Sequence, residues 1–256
     1  AKRFHYGGKI AEALPLYQDI AALSQEEGDV SRAAAALHMA GDAVRLTIKR
    51  SEESKFRVAS AYFGKAYALY GSIDRKDRQG AVLRDIAITA DRVVRSAVAL
   101  ESFQRSIQFL GEVEDTAEQA ATYDKLGLHF TLHRQPDTGL MYMDKALELL
   151  RQTPTQGWYR ASTLLDRAVT HLALKNVDRS FEDAEEALGW FAADHDDLTY
   201  VVCQAQCTGL MAYVSERRND SDNVQKYTRE LKRLLQQPDA EVAAHIEADL
   251  EQWASL

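Results

Sequence analysis

The sequence predicts an all-α chain, an α-solenoid of stacked antiparallel helical hairpins with about twelve helices and a C-terminal capping helix. Three observations carry this prediction. Strand signals are nearly absent, with no alternating β-branched run bounded by turns. Amphipathic helical patterning recurs from end to end, broken only by short punctuators. Small residues return at intervals of 40 or 41, the mark of a tandem repeat.

Taken in order, residues 1–28 form a truncated first hairpin, and "EEGDVS" (26–31) leads into a second at 30–71. After "YGSIDR" (70–75) come a third hairpin at 75–111 and a fourth at 115–151, the latter turned at "RQPDT" (134–138). "RQTPTQG" (151–157) precedes the fifth, 155–193, which turns at "KNVD" (175–178), where Asp178 is the expected N-cap. "ADHDD" (193–197) precedes the sixth, 196–236, which turns at "RRNDSD" (217–222). After "QQPDAE" (236–241), residues 239–256 read as a lone amphipathic helix whose charged outer face suits a solubilising cap. The whole is expected to be one repeat domain, 1–256. Three of the four prolines mark turns, and Pro15 belongs in the first turns of a helix.

The repeat shows as parallel series. Ala87, Gly127, Ala168 and Gly209 form one; Ala59, Ala99, Gly139, Ser180 and Ser221 a second; Ala66, Ser106, Ala146, Ala187 and Thr228 a third. Between the last two runs a bulkier series, Phe63, Phe103 and Met143, which decays to Ala184 and Gln225. Helix backbones approach within about 8–10 Å only where small side chains meet, and larger residues fill the gaps between hairpins. The interval from the first series to the second is 12 in each hairpin, 87 to 99, 127 to 139, 168 to 180 and 209 to 221, so a common tight turn is expected.

These units resemble the tetratricopeptide repeat, with small residues at positions 8, 20 and 27 and an aromatic at 24. "YDKLGLHFTLHRQPDTGLMYMDKALEL" (123–149) is the best match, and "LDRAVTHLALKNVDRSFEDAEEAL" (165–188) follows. The spacing of 40–41 exceeds the usual 34 and is similar to the long-helix variety in kinesin light chains, spindle adaptors and bacterial peptide-sensing regulators. The resemblance implies a right-handed superhelix. Extending the register upstream places Ala13 and Tyr17 at positions 20 and 24, and Ala1 and Phe4 at 8 and 11. Residue 1 then falls mid-helix, and with no initiator Met the sequence is expected to continue upstream.

Composition narrows the function. Net charge is −8 with a pI near 5.4, against the basic surface a sequence-independent nucleic-acid binder needs. No apolar run reaches the roughly 20 residues of a membrane-spanning helix, and "AKRFHYGGKI" lacks a signal peptide's apolar core. Cys203 and Cys207, four apart and without further ligands, read as reduced thiols on or near a groove in a cytoplasmic protein. His129 and His133 share a helix face, but "HFTLH" holds neither the glutamate nor a third ligand of a zinc site. His171 takes the slot of a packing aromatic. The acids Asp178, Glu182, Asp183, Glu185, Glu186, Asp194, Asp196 and Asp197 read as a solvated face, or alternatively as a patch for a basic partner. Phosphate-binding loops and a nucleophile elbow are missing from the sequence. No catalytic residue, metal or cofactor is expected.

The resemblance implies that first helices line a concave groove through positions 2, 5, 6, 9, 12 and 13. In one repeat that register yields Arg84, Asp85, Ile88, Asp91 and Arg92, and in the next Asp124, Lys125, Leu128 and Thr131. Leu165, Asp166, Val169 and Leu172 follow, then Cys203, Gln206, Cys207, Leu210 and Tyr213. The Lys/Asn carboxylate clamp of chaperone-binding members is missing, because positions 5 and 9 are Asp124/Leu128 and Leu165/Val169. The expected function is a scaffold binding a peptide or partner helix in this groove. Leu172→Glu and Leu210→Glu are then expected to abolish capture and spare the fold. The alternative for the apolar set is that long helices close up and bury Leu128, Val169 and Leu210 against one another. The alternative function is the sensing domain of a bacterial-type transcriptional regulator with its output domain upstream.

Overall fold

A computed structural model describes residues 9–48, 51–151, 157–192, 198–237 and 240–256. The upstream register at Ala1 and Phe4, and Asp194, Asp196 and Asp197 of the acidic run, lie outside the described residues. Among the described residues are twelve α-helices and no strand. They are α1 (Ile10–Glu26), α2 (Val30–Arg45), α3 (Glu53–Ser72), α4 (Lys76–Arg92), α5 (Ser96–Glu112) and α6 (Thr116–Leu132). Then follow α7 (Pro136–Arg151), α8 (Gly157–Ala173), α9 (Val177–Phe191), α10 (Leu198–Arg217), α11 (Ser221–Leu234) and α12 (Ala240–Ala254). The chain forms two compact units that meet in sequence between Thr122 and Tyr123. Within each unit helices pack on their neighbours in sequence, α1 to α5 in the first and α7 to α11 in the second.

One turn design does most of the joining. After α3, α4, α5, α6, α8 and α10 the chain turns in three residues, with Asp74, Val94, Glu114, Arg134, Lys175 and Asn219 at φ between 52° and 64°. The next N–H in each case reaches the carbonyl five residues back, as from Arg95 to Ala90 at 2.9 Å and from Asn176 to His171 at 2.8 Å. This left-handed C-terminal motif satisfies carbonyls that the helix end would orphan. Asp74, Val94, Glu114 and Arg134 stand 20 residues apart, so each 40-residue hairpin is two equal helix–turn modules. Asp29, Asp115 and Asp220 cap the following helices through the N–H groups of Arg32, Glu118 and Asn223.

The small-residue series sit where close approach demands them. Ala59, Ala66, Ala87, Ala99, Ala146, Ala168 and Ala187 are fully buried, as are Phe63 and Met143. A Cβ on Gly127 would lie 2.7 Å from the Gly139 carbonyl oxygen, so those backbones touch. Ser180 serves the same crossing with a hydrogen bond, its Oγ donating to the Ala168 carbonyl at 2.8 Å.

Three expectations are corrected. Asp178 is not the N-cap of α9: Asn176 holds that place, without a side-chain cap. In the second hairpin the crossing glycine is Gly41, against which Phe63 packs as Met143 does against Gly127. The Gly41–Phe63 interval is 22 residues against 16 for Gly127–Met143, and the α2–α3 connection, 46–52, is four residues longer than the common three-residue turn. In the sixth hairpin the 209-to-221 pairing fails. Helix α10 has 20 residues where α8 has 17, which pushes the turn three residues on, so the interval from Lys175 to Asn219 is 44. Gly209 therefore packs beneath Leu250 of α12, while Ser221 and Gln225 are exposed and Tyr227 is buried.

Candidate functional site

The groove positions of the first unit lie on α4. Asp85 is buried and receives a 2.7 Å contact from His38 Nε2 of α2. Burial alone would raise its carboxyl, but the Arg84 charge, the His38 bond and Arg45 hold it well below the usual carboxylate range. Arg84 also pairs with Glu118. Arg84, Ile88, Asp91 and Arg92 remain partly exposed, with Ile88 the one apolar side chain among them.

The second unit brings Asp124, Lys125 and Asp166 together. Lys125 Nζ lies 3.0 Å from Asp124 Oδ2, 2.5 Å from Asp166 Oδ2 and 3.0 Å from Ser162 Oγ. Asp124 is 1% exposed, and its Oδ1 has no partner. Burial first, and then the neighbouring Asp166 charge, push its carboxyl up to about 7 despite Lys125. Lys125 is held protonated above its ordinary range, since the two carboxylates outweigh its own burial. The trio is internal ion pairing between α6 and α8, and Asp124 and Asp166 offer no open surface.

The apolar stripe is likewise covered. Thr131 is buried; Leu165, Val169, Leu172 and Leu210 are buried in one cluster, and Leu128 is half-buried against it. The reading in which the helices close on these residues is the one realised in this unit. Trp253 of α12, only 5% exposed, belongs to the same cluster. The predicted groove face of α10 is occupied too. Gln206 donates to Asp249 at 2.9 Å, and the Tyr213 hydroxyl donates to the Ala254 carbonyl at 3.0 Å. Helix α12 is thus a seated element as well as an end cap. Leu172→Glu and Leu210→Glu would bury a charge in the core, so they cannot serve as fold-neutral tests.

The remaining candidates resolve individually. Cys203 and Cys207 are free thiols, but Cys207 is fully buried and burial pushes its thiol well up, which removes it from any groove surface. His171 is buried, with burial lowering its pKa, in the packing slot expected. His129 is buried and in ring contact with Phe130 and His133. In the acidic run, Asp183 takes two hydrogen bonds from Arg167, Glu186 pairs with Arg160, and Asp178 with Arg218. These acids therefore sit on different faces with different partners. His38 and Arg45, which define the surroundings of Asp85, are not legible from the sequence because they lie 47 and 40 residues upstream, in the hairpin whose turn breaks the register.

The fold and these faces define an all-α protein of stacked helical hairpins. No family model matches the chain, and no curated protein matches it. Among solved structures it is similar to the crystal structure of BtubC (BKLC) from P. vanneervenii, at 19% identity and a TM-score of 0.64 over 88% of this chain and 89% of that one. At that identity the likeness establishes the helical-repeat-like fold. No described helix is long and apolar enough to cross a membrane.

Proposed function

We propose that the chain is a non-enzymatic interaction scaffold of the tetratricopeptide type that holds a peptide or partner helix on the face of its helix α4. The observation that carries this reading is the seat of α12. An amphipathic helix lies on the α10 face through Gln206, Gly209 and Tyr213 and sends Trp253 into the core. A face that holds one helix by an apolar anchor with flanking hydrogen bonds has the chemistry of helix-in-groove recognition. The corresponding face of α4 keeps Arg84, Ile88 and Asp91 partly exposed, and Ile88 is the side chain there that would meet a partner segment. The long repeat and the likeness to BtubC (BKLC) over most of both chains support a scaffold.

The test is affinity capture from the host lysate with the chain and its Ile88→Glu variant, each checked for helicity and melting temperature. A partner held by the wild type and lost at least tenfold by the variant supports the α4 face. Equal capture by both moves the surface elsewhere, and no specific partner for either removes the scaffold reading.

A further inference from the structure

In the second unit an open cleft of about 750 Å³ lies between α9 and α11, with α10 as its floor. Gln204, Thr208 and Met211 share one face of α10, being spaced by four and three residues, and all three line it. Leu188, Ala192 and Leu234 supply apolar walls. The cleft opens where the bulky series has thinned to Ala184 and Gln225 and where the longer α10 has slid α11 out of register.

Thr208 is the unusual residue. Buried threonines elsewhere in these helices, Thr89, Thr122, Thr131, Thr163 and Thr170, each donate a hydrogen bond to the carbonyl four residues back. Thr208 is fully buried and its hydroxyl has no partner, a condition native interiors rarely leave uncompensated. Beside it, Gln204 commits its amide nitrogen to the Phe191 carbonyl at 2.7 Å, which leaves the amide oxygen as an acceptor.

We propose that this cleft binds a neutral amphipathic small molecule. Its apolar body packs on Leu188, Ala192, Met211 and Leu234, and an N–H or O–H group reaches Thr208 Oγ1 and Gln204 Oε1. The volume falls in the range of small-molecule sites. The ligand is neutral because the floor holds no charged side chain, and an ionised group there would be desolvated without a counter-charge. Charges of both signs stand outside the floor, Glu185, Asp222 and Glu230 against Lys226 and Arg229, so the mouth does not select for one sign. The site stands whether or not the chain also binds a protein.

The probe is N-phenyl-1-naphthylamine, a neutral aromatic amine with one N–H that fluoresces in apolar surroundings, titrated into the whole chain. Saturable one-site enhancement is expected. A side chain at Gly189, another lining residue, meets nothing within 4 Å. Gly189→Leu therefore keeps α9 intact, with better helix propensity, and fills the cleft, weakening the probe at least tenfold. Thr208→Val keeps the shape and removes the hydroxyl, and should weaken the probe about fivefold while the melting temperature holds or rises. Failure of the wild type to saturate, or undiminished binding by Gly189→Leu, overturns the site. Equal or tighter binding by Thr208→Val overturns the hydrogen-bonded head and with it the proposed ligand class.

Discussion

Replacing Asp124 with asparagine should make residues 123–256 more stable at neutral and alkaline pH and leave them nearly unchanged at acid pH. The carboxyl is 1% exposed and pushed up to about 7, against an ordinary value of 3.8 in the unfolded chain. The native state therefore holds a proton that the unfolded state releases between about pH 4 and 7. The corresponding stability is complete below the unfolded value and lost as pH rises through the folded one. A gap of about three pH units, at about 1.36 kcal/mol each, sets a ceiling of roughly 4 kcal/mol. Asparagine has the same shape and nothing to ionise, and Lys125 keeps its 2.5 Å partner Asp166. The variant should therefore gain on the order of 2–4 kcal/mol over wild type at pH 8.5 and almost nothing at about pH 3, below the unfolded value. The assay is urea unfolding at several pH values, followed by tryptophan fluorescence. All three tryptophans, Trp158, Trp190 and Trp253, lie in this unit, so the signal reports it alone. A difference between the two proteins that does not change with pH would refute the reasoning, as would a wild type that gains stability relative to the variant as pH rises.

Three further outcomes follow from the packing. Lys125→Met leaves two buried carboxylates without their cation and should cost about 3–5 kcal/mol at pH 8 in the same urea assay; a loss below about 1 kcal/mol would mean the trio is solvated. Val94 sits at φ 64° and is 54% exposed, a conformation costly for a β-branched residue. Val94→Gly should therefore stabilise by about 1 kcal/mol, read as a rise of a few degrees in melting temperature, and a fall would contradict the turn assignment. Gly127→Ala forces a Cβ against the Gly139 carbonyl and should destabilise by about 1–3 kcal/mol. By contrast Gly64→Ala, in open space on α3, should stabilise by up to about 1 kcal/mol, and circular-dichroism melts of the pair compare the two directly.

Much of the fold was legible because it is written locally and repeats. The helix periodicity, the three-residue turns and the buried positions of Ala87, Ala99, Ala146 and Ala168 all recur at fixed intervals, so each copy reinforces the others. Legibility failed where one copy changed length. The longer α2–α3 connection hid His38 and Arg45 from the register, and three extra residues in α10 broke the pairing of Gly209 with Ser221.

The candidate site was less legible than the scaffold. Asp124, Asp166, Val169 and Leu210 lie on α6, α8 and α10, and a face position read from the sequence does not say what lies opposite. By itself the sequence determined an all-α repeat with its hairpins, because helix patterning and small-residue crossings depend on neighbours within one or two turns. Only the tertiary structure decided that α12 covers the α10 face, that Lys125 binds two buried acids and that Thr208 is buried without a partner beside the cleft between α9 and α11. Those outcomes depend on side chains roughly 15 to 45 residues apart, whose meeting is set by helix length and packing.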